Sequence, residues 1–207
     1  MNQEAKKTEN ESVVQMVDLP RIEKAVREIL FAVGEDPDRE GLRETPARVA
    51  RMYAELFGGL HTDPRQHLRK FFTEPYDEVV LVRDITFHSV CEHHLLPFMG
   101  KTHIGYSPNG RVIGLSKLAR VVEEVSRRPQ VQERMTRQIA DFLRDLLQPQ
   151  GVAVVVEAMH LCSMMRGVKK HDARMTTSAM HGAFRANLAT RQEFLDNISR
   201  GAAPLQM

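Results

Sequence analysis

The sequence predicts an α+β fold in which a largely antiparallel sheet follows a set of N-terminal helices. Two observations support this prediction. Before residue 60, apolar residues recur at the spacing of one helix face, and at Asp77 the pattern changes to the alternation and β-branched composition of strands. A strand, a hairpin, two helices and paired strands then follow, an order typical of α+β proteins.

The N-terminal part contains two helix patterns. The first covers residues 20–33 with one apolar face, and the second runs from the start signal Thr45-Pro46 to the stop signal Gly58-Gly59. We expect residues 1–17 to form a mobile polar tail and a short helix to lie near residues 67–71.

The remaining elements form the sheet and its helices. We expect strands over 78–90, 152–161 and 174–184, hairpin arms over 101–106 and 111–113, and helices over 116–127, 131–147 and 186–199. The predicted division of the chain is a tail (1–17), a helical extension (18–75), the sheet-bearing domain (76–200) and a C-terminal tail (201–207).

Composition limits the partners of this chain. Hydrophobic residues make up 42% and charged residues 27% of the 207 positions, values typical of a soluble globular protein. The net charge of +2 is too small to indicate a nucleic-acid or membrane partner, and no apolar run approaches the ~20 residues that span a bilayer. The N-terminus lacks the apolar core of a secretory signal, and two cysteines do not make a disulfide framework. We therefore expect a cytoplasmic protein.

The densest group of metal-ligand side chains lies between His88 and His94. Cys91 and His94 are separated by two residues, a spacing that lets both bind one ion from a turn. Cys162 follows His160 by two positions on a predicted strand, so these two side chains are expected on one face. Cys91, His94 and Cys162 would leave a fourth position open for water, as in catalytic zinc sites.

The residues alone leave two other interpretations open. The thiols could be buried and inert, as cysteines often are, although burying the flanking Glu92, His93 and His160 without a partner would be costly. The site could also be structural, with His93 or His160 as a fourth ligand.

A second group of polar residues opens the helix predicted from residue 116. Ser116, Lys117 and Arg120 lie on its first turn and a half, where free N–H groups and the helix dipole attract anions. Arg166 would join them if its strand lies alongside. The alternative is an ordinary solvated basic face. Likewise Glu133, at the start of the next helix, could simply stabilise that helix through a favourable interaction with its dipole.

Six motifs, in this order along the chain, resemble those of GTP cyclohydrolase I. They are Thr45-Pro-x-Arg48-Val-Ala, Cys91-Glu-His-His94, Gly114-Leu-Ser-Lys117, Arg128-Pro-Gln-Val-Gln-Glu-Arg134, His160-x-Cys162-x-x-x-Arg166-Gly167 and Thr176-Thr-Ser178. The resemblance runs from about residue 20 to about residue 197.

This resemblance implies a T-fold, in which an antiparallel four-stranded sheet carries two helices on one face, after an N-terminal helical extension. It makes 76–200 the catalytic domain. It also implies a toroidal homodecamer with active sites at subunit interfaces. The implied reaction opens the guanine imidazole ring of GTP by hydrolysis, releases formate and rearranges the product to 7,8-dihydroneopterin triphosphate. This is the first step towards tetrahydrofolate or other pterins, and the sequence does not choose between these end uses.

The resemblance also assigns roles to individual residues. Cys91, His94 and Cys162 match ligands of one Zn²⁺ per subunit, in agreement with the set reached from spacing. The catalytic residues are His93, His160 and Ser116; the two histidines would shuttle protons, which suits an imidazole near neutral pH.

Substrate binding is assigned in the same way. Glu133 matches the carboxylate that reads guanine, because it can accept from both the N1–H and the exocyclic amine. The other matched residues are Gln132, Ser116, Lys117, Arg120 and Arg166, together with Arg48, which the family supplies from a neighbouring subunit.

Two rival functions are less consistent with these residues. Other T-fold enzymes, such as pterin synthases and nitrile reductases, place different residues around the pocket. A binding or scaffold protein with a structural zinc would have a closed four-ligand site and no turnover.

Overall fold

A computed structural model describes residues 17–199, and the chain divides into two compact units between Thr62 and Asp63. The first unit contains helices α1 (Leu19–Ala32) and α2 (Thr45–Leu56), which pack against each other, and a 3₁₀ turn at Gly58–His61. Both predicted helices are confirmed. The predicted tails lie mostly outside the described residues, and the predicted domain boundaries stay a prediction.

The second unit holds the sheet. After a 3₁₀ turn at Pro64–Leu68, its elements are β1 (Phe72–Thr73), β2 (Val80–Cys91), β3 (Pro97–Ser107), β4 (Arg111–Val112), α3 (Leu115–Ser126), β5 (Pro129–Gln130), α4 (Gln132–Leu147), β6 (Gly151–His160), α5 (Leu161–Met164), β7 (Met175–Gly182), α6 (Ala183–Ala186) and α7 (Leu188–Ser199). Within residues 17–199, no helix is both long and apolar enough to cross a membrane.

The main sheet has the strand order β5-β2-β3-β6-β7. Its four long strands are antiparallel, as predicted, and the two-residue β5 adds a short parallel pair beside the end of β2. The α+β prediction is therefore confirmed.

The predicted hairpin around Ser107–Gly110 is wrong. Residues 101–106 belong to β3, which pairs along its length with β2 and β6. The other proposed arm, β4, pairs instead with β1 in a separate two-stranded sheet. A turn sequence shows that the chain reverses, but it does not determine which strand each arm pairs with.

Helices α3 and α4 cover one face of the sheet and form the main core. The alternate β6 residues Val152, Val154, Val156 and Ala158 are fully buried in this core, because successive strand side chains point to opposite faces. By the same alternation His160 lies on this helix-covered side, and α7 packs on the other face, where Phe194 lies against Gly105. That second face also carries a cavity of about 430 Å³, and no predicted site residue is among those that line it.

Acid should destabilise this protein through His103, a buried residue of β3. Its ring accepts the Asp84 N–H at Nδ1 (3.3 Å). Burial lowers the pKa of His103; Lys101 and Arg83 act in the same direction, while Asp84 and Glu157 oppose it. Below pH 6.5, which is about the usual pKa of histidine, His103 is protonated in the unfolded chain but neutral in the folded chain until the pH falls to its lowered pKa. The free energy of unfolding should therefore fall as the pH drops, by up to about 1.4 kcal/mol per pH unit.

The measurement is the thermal midpoint of unfolding between pH 7.5 and 5 for the wild type and His103→Asn. The variant should lose less stability below pH 6.5, whereas the same change at the exposed His171 should leave the profile unaltered. Equal slopes for the wild type and His103→Asn would show that another group governs the acid response.

Candidate active site and metal centre

The tight turn between β2 and β3 positions Cys91 and His94. The carbonyl of Cys91 accepts from the N–H groups of His94 (3.4 Å) and Leu95 (2.8 Å), and its own N–H donates to Leu96 O (2.9 Å). Leu95 has a φ of 54°, a left-handed conformation that costs a non-glycine residue about 1–2 kcal/mol. The backbone is therefore strained at Leu95 in the turn that holds Cys91 and His94 together, and such strain is common at functional sites.

Cys162 reaches the same place by a different route from the one predicted. The strand β6 ends at His160, and Cys162 lies in the short helix α5, so the expectation that both side chains project from one strand face is wrong. The pairing of Phe98 with His160 brings the start of β3 beside the end of β6. Because Cys162 follows His160 by two residues, this register places Cys162 next to Cys91.

Cys91, His94 and Cys162 form a group whose ligand atoms all lie within 4.8 Å of one another. Cys91 is buried, Cys162 is partly buried and His94 is exposed, so the group opens to the surface on the histidine side. Burial and the neighbouring Cys91 thiol raise the pKa of Cys162. Two thiols and one imidazole are soft and borderline donors of the kind that zinc prefers.

A closed four-ligand site is not favoured by this arrangement. Within residues 17–199, neither His93 nor His160 belongs to the group that could hold the metal. His160 is engaged elsewhere, and His93 is exposed, with its Nδ1 3.8 Å from the Cys91 sulfur. Three donors and an open side match the donor number of a catalytic zinc site.

A polar network fixes the turn from the side of α4. Arg134 forms an ion pair with Glu92, which lowers the pKa of that carboxyl, and its Nε donates to Gln130 Oε1 (3.1 Å). Gln130 is buried, and its carbonyl accepts the Glu92 N–H (3.0 Å). Glu92, between Cys91 and His93, is therefore held at both its backbone and its side chain.

His160 is held at its edge and on its face. Its Nε2 lies 2.8 Å from Gln132 Oε1, and its ring stacks on Phe98 with centroids 4.6 Å apart and planes 3° apart. Burial lowers the pKa of His160, an effect that the charge of Glu133 opposes. Glu133 itself is exposed on the first turn of α4, and its charge acts on His160.

Arg166 lies at the same site. Its Nη1 donates to His94 Nε2 (2.9 Å), and a longer contact of 3.5 Å joins it to the Cys162 carbonyl. An exposed guanidinium next to the ligand group is well placed for an anionic substrate.

Ser116 and Lys117 lie at the opposite end of the sheet from Cys91. The N–H of Ile113, just before α3, donates to the hydroxyl of Tyr106 (3.1 Å), and Tyr106 pairs with Val80 at the start of β2. The last residue of α3, Ser126, instead accepts a bond from Ser89 near the end of β2 (2.7 Å).

Helix α3 therefore runs along the sheet, and about 15 Å of helix separates its first turn from its last residue. Arg120 lies between these two ends. The start of α3 has Gly114 at its cap with no side-chain hydrogen bond, and the N–H of Lys117 donates to Gly114 O (2.8 Å). A helix start of this kind favours an anion through its dipole. Arg48 lies in α2 of the first unit, is exposed and pairs with Glu44 (2.9 Å).

Three residues that support the site were not singled out from the sequence. Gln130 and Arg134 lie within the motif Arg128–Arg134, which could have pointed to them. No sequence pattern pointed to Phe98, because its stacking on His160 depends on the pairing of β3 with β6.

The fold and the site together define an α+β protein whose antiparallel sheet ends in a Cys₂His group able to hold a metal ion. A profile of the GTP cyclohydrolase I family matches residues 22–199. The chain belongs to the GTP cyclohydrolase I family, and it is an enzyme.

The relatives match over 82–100% of their own length. A GTP cyclohydrolase 1 of Rhodopirellula baltica is 64% identical over 90% of this chain and 82% of its own. Those of Desulforamulus reducens and Bacillus subtilis are 59% and 56% identical, over 89% of this chain and 100% and 97% of their own. Among solved structures, a QueF-like archaeosine synthase in the apo form covers 50% of this chain and 93% of its own with a TM-score of 0.42 and 16% identity, too distant to bear on function.

Proposed function

We propose that this enzyme opens the guanine imidazole ring of GTP by hydrolysis, releases C8 as formate and forms 7,8-dihydroneopterin triphosphate. The observation that carries the proposal is the Cys91, His94 and Cys162 group, open on one side and flanked by His93, His160 and Arg166. The family membership of residues 22–199 supports the same reaction.

Zinc fits this site by the chemistry of its donors. Cys91, His94 and Cys162 would hold one ion per subunit as two thiolates and an imidazole. When bound, zinc acts as a Lewis acid and lowers the pKa of water towards neutrality.

The surrounding residues divide the remaining work. His160 and the exposed His93 would accept and return protons during ring opening, since His93 Nδ1 lies 3.8 Å from the Cys91 sulfur and His160 is two residues from Cys162. Glu133 would read guanine by accepting from its N1–H and exocyclic amine. Arg166 would bind an anionic part of the substrate at the same end of the sheet.

A complete site needs a second copy of the chain. Ser116, Lys117 and the positive end of the α3 dipole suit a triphosphate, yet in one chain they lie at the far end of the sheet from the candidate metal ligands. We therefore propose that these residues, with Arg120 and Arg48, serve the metal site of a neighbouring subunit.

The sheet has two open edges that could join such copies. Among the described residues, β7 pairs only with β6, and the outer edge of β2 pairs only at Val90 and Cys91 with β5. Since β2 and β7 run in opposite directions, a β7-to-β2 contact between copies would continue the antiparallel order. Repetition of this contact gives a ring when the rotation between copies closes, and we propose that it closes as a toroidal decamer. We also propose that the protein is cytoplasmic and that its domains have the boundaries predicted from the sequence.

The test is incubation of purified, metal-quantified protein with GTP, with formate and the oxidised fluorescent pterin measured together. Both products should appear in equal amounts and vanish when a chelator removes the metal. Bound zinc with no formate would refute the proposed reaction, and formate without pterin would show that the ring opens but does not reclose.

Replacing Glu133 by glutamine should weaken recognition of guanine and leave the metal in place. The amide presents a donor where the carboxylate accepts, and a hydrogen bond to a charged group contributes about 1.5–3 kcal/mol, so we expect KM for GTP to rise roughly tenfold or more. Glu193→Gln, at an exposed position of α7, is the control. Unchanged KM and unchanged preference for GTP over ATP would limit Glu133 to a role at the helix start.

A further inference from the structure

Gln132 is a buried side chain with both ends of its amide engaged. It is 1% exposed, and its Nε2 lies within hydrogen-bond distance of Val156 O (3.0 Å), Met175 O (2.9 Å) and Thr177 Oγ1 (3.2 Å). Carbonyl oxygens only accept, so the amide NH₂ must be the end that faces them. The orientation of this amide is therefore fixed by the backbone of β6 and β7.

This orientation determines the tautomer of His160. The remaining end of the amide, Oε1, lies 2.8 Å from His160 Nε2, and an amide oxygen only accepts. The proton of the neutral ring must then be on Nε2, and the lone pair must be on Nδ1. Within residues 17–199, Nδ1 makes no hydrogen bond, and the parallel stacking on Phe98 restrains the plane of the ring.

We propose that Gln132 is a positioning residue that holds the proton of the neutral His160 ring on Nε2 and leaves the lone pair of the ring on Nδ1. This inference rests on the proposed function only for the proton-transfer role of His160.

The assignment differs from the substrate-binding role that the family resemblance gives to Gln132. A side chain that is 1% exposed and bonded at both ends would have to break a buried hydrogen bond to reach guanine. Glu133, the next residue, is exposed and free to take that role.

The direct test is NMR of the ring nitrogens in zinc-loaded protein labelled with ¹⁵N-histidine. Comparison with His160→Gln assigns the His160 signals. We expect a protonated Nε2 and an unprotonated Nδ1 in the wild type, and a mixture of both tautomers in Gln132→Met. A wild-type ring with its proton on Nδ1 would overturn the inference, whatever the activity of the protein.

Kinetics separate positioning from binding and from folding. Gln132→Met should lower kcat for GTP about 100-fold, a typical contribution of a proton-transfer group, with KM changed less than about twofold and zinc content unchanged. Ser126→Ala is the matched control, because Ser126 is also buried (2% exposed) and its hydroxyl donates one hydrogen bond to Glu123 O (2.8 Å), outside the Gln132 network. It should lose stability and keep kcat.

Two results would overturn the positioning role. A raised KM with unchanged kcat in Gln132→Met would indicate guanine binding, and an equal loss of kcat in Ser126→Ala would indicate a purely structural effect. If Gln132→Met does not fold, the wild-type tautomer decides the question. His160→Ala tests the proposed function separately, since full activity in that variant would remove the catalytic role of His160 and leave the measured tautomer valid.

Discussion

The Cys162→Ser variant is expected to lose bound metal and GTP cyclohydrolase activity together. A serine hydroxyl stays protonated at neutral pH, whereas the metal needs a thiolate, so the donor set falls from three groups to two. We expect metal content to drop from one ion per chain to near zero and turnover to fall at least about 1,000-fold. Metal analysis of the purified protein and formate release measure the two effects.

Ser163→Ala is the matched control, because Ser163 lies next to Cys162 in the same short helix α5 and is not part of the ligand group. It should keep both zinc and activity, and circular dichroism should show that both variants fold. A Cys162→Ser protein that retains a full complement of zinc would remove this cysteine from the metal site. Retained turnover without metal would overturn the zinc-dependent reaction.

Mixing two inactive variants is expected to restore activity. Lys117→Ala removes a charge at the start of α3 and Cys162→Ser removes a metal ligand, and these residues lie at opposite ends of the sheet within one chain. If each active site takes them from different subunits, random reassembly of equal amounts gives about one quarter of the sites with both residues intact. The measurement is formate release after dissociation and reassembly, compared with each variant alone.

A double variant carrying both substitutions, reassembled with wild-type chains, provides the control. About a quarter of the sites should be intact if the two residues come from different subunits, and about half if they come from one subunit. The formate-release activity should fall to the same fraction of the wild-type value. No recovery in the first mixture, together with half activity in the second, would place Lys117 and Cys162 in the same site of one chain.

Local patterns predicted most of the elements and the three side chains of the candidate metal group. The helices α1 to α4 and the long strands follow from periodicity, because the apolar face of a helix shows over about 11–18 residues and that of a strand over about 4–8. The hairpin prediction failed at β3 because strand pairing joins residues far apart in sequence, and a turn motif carries no information about the distant partner.

The ligand chemistry follows from the residue types, since thiols and imidazoles bind a soft or borderline metal once the fold brings them together. Their meeting depends on tertiary structure, which places Cys162 in a short helix and brings it to Cys91 by the pairing of Phe98 with His160. Tertiary structure also decided that Gln132 faces inward to His160 and that Lys117 lies away from the metal ligands of its own chain. These outcomes depend on strand register and helix direction, which are set by packing between distant segments.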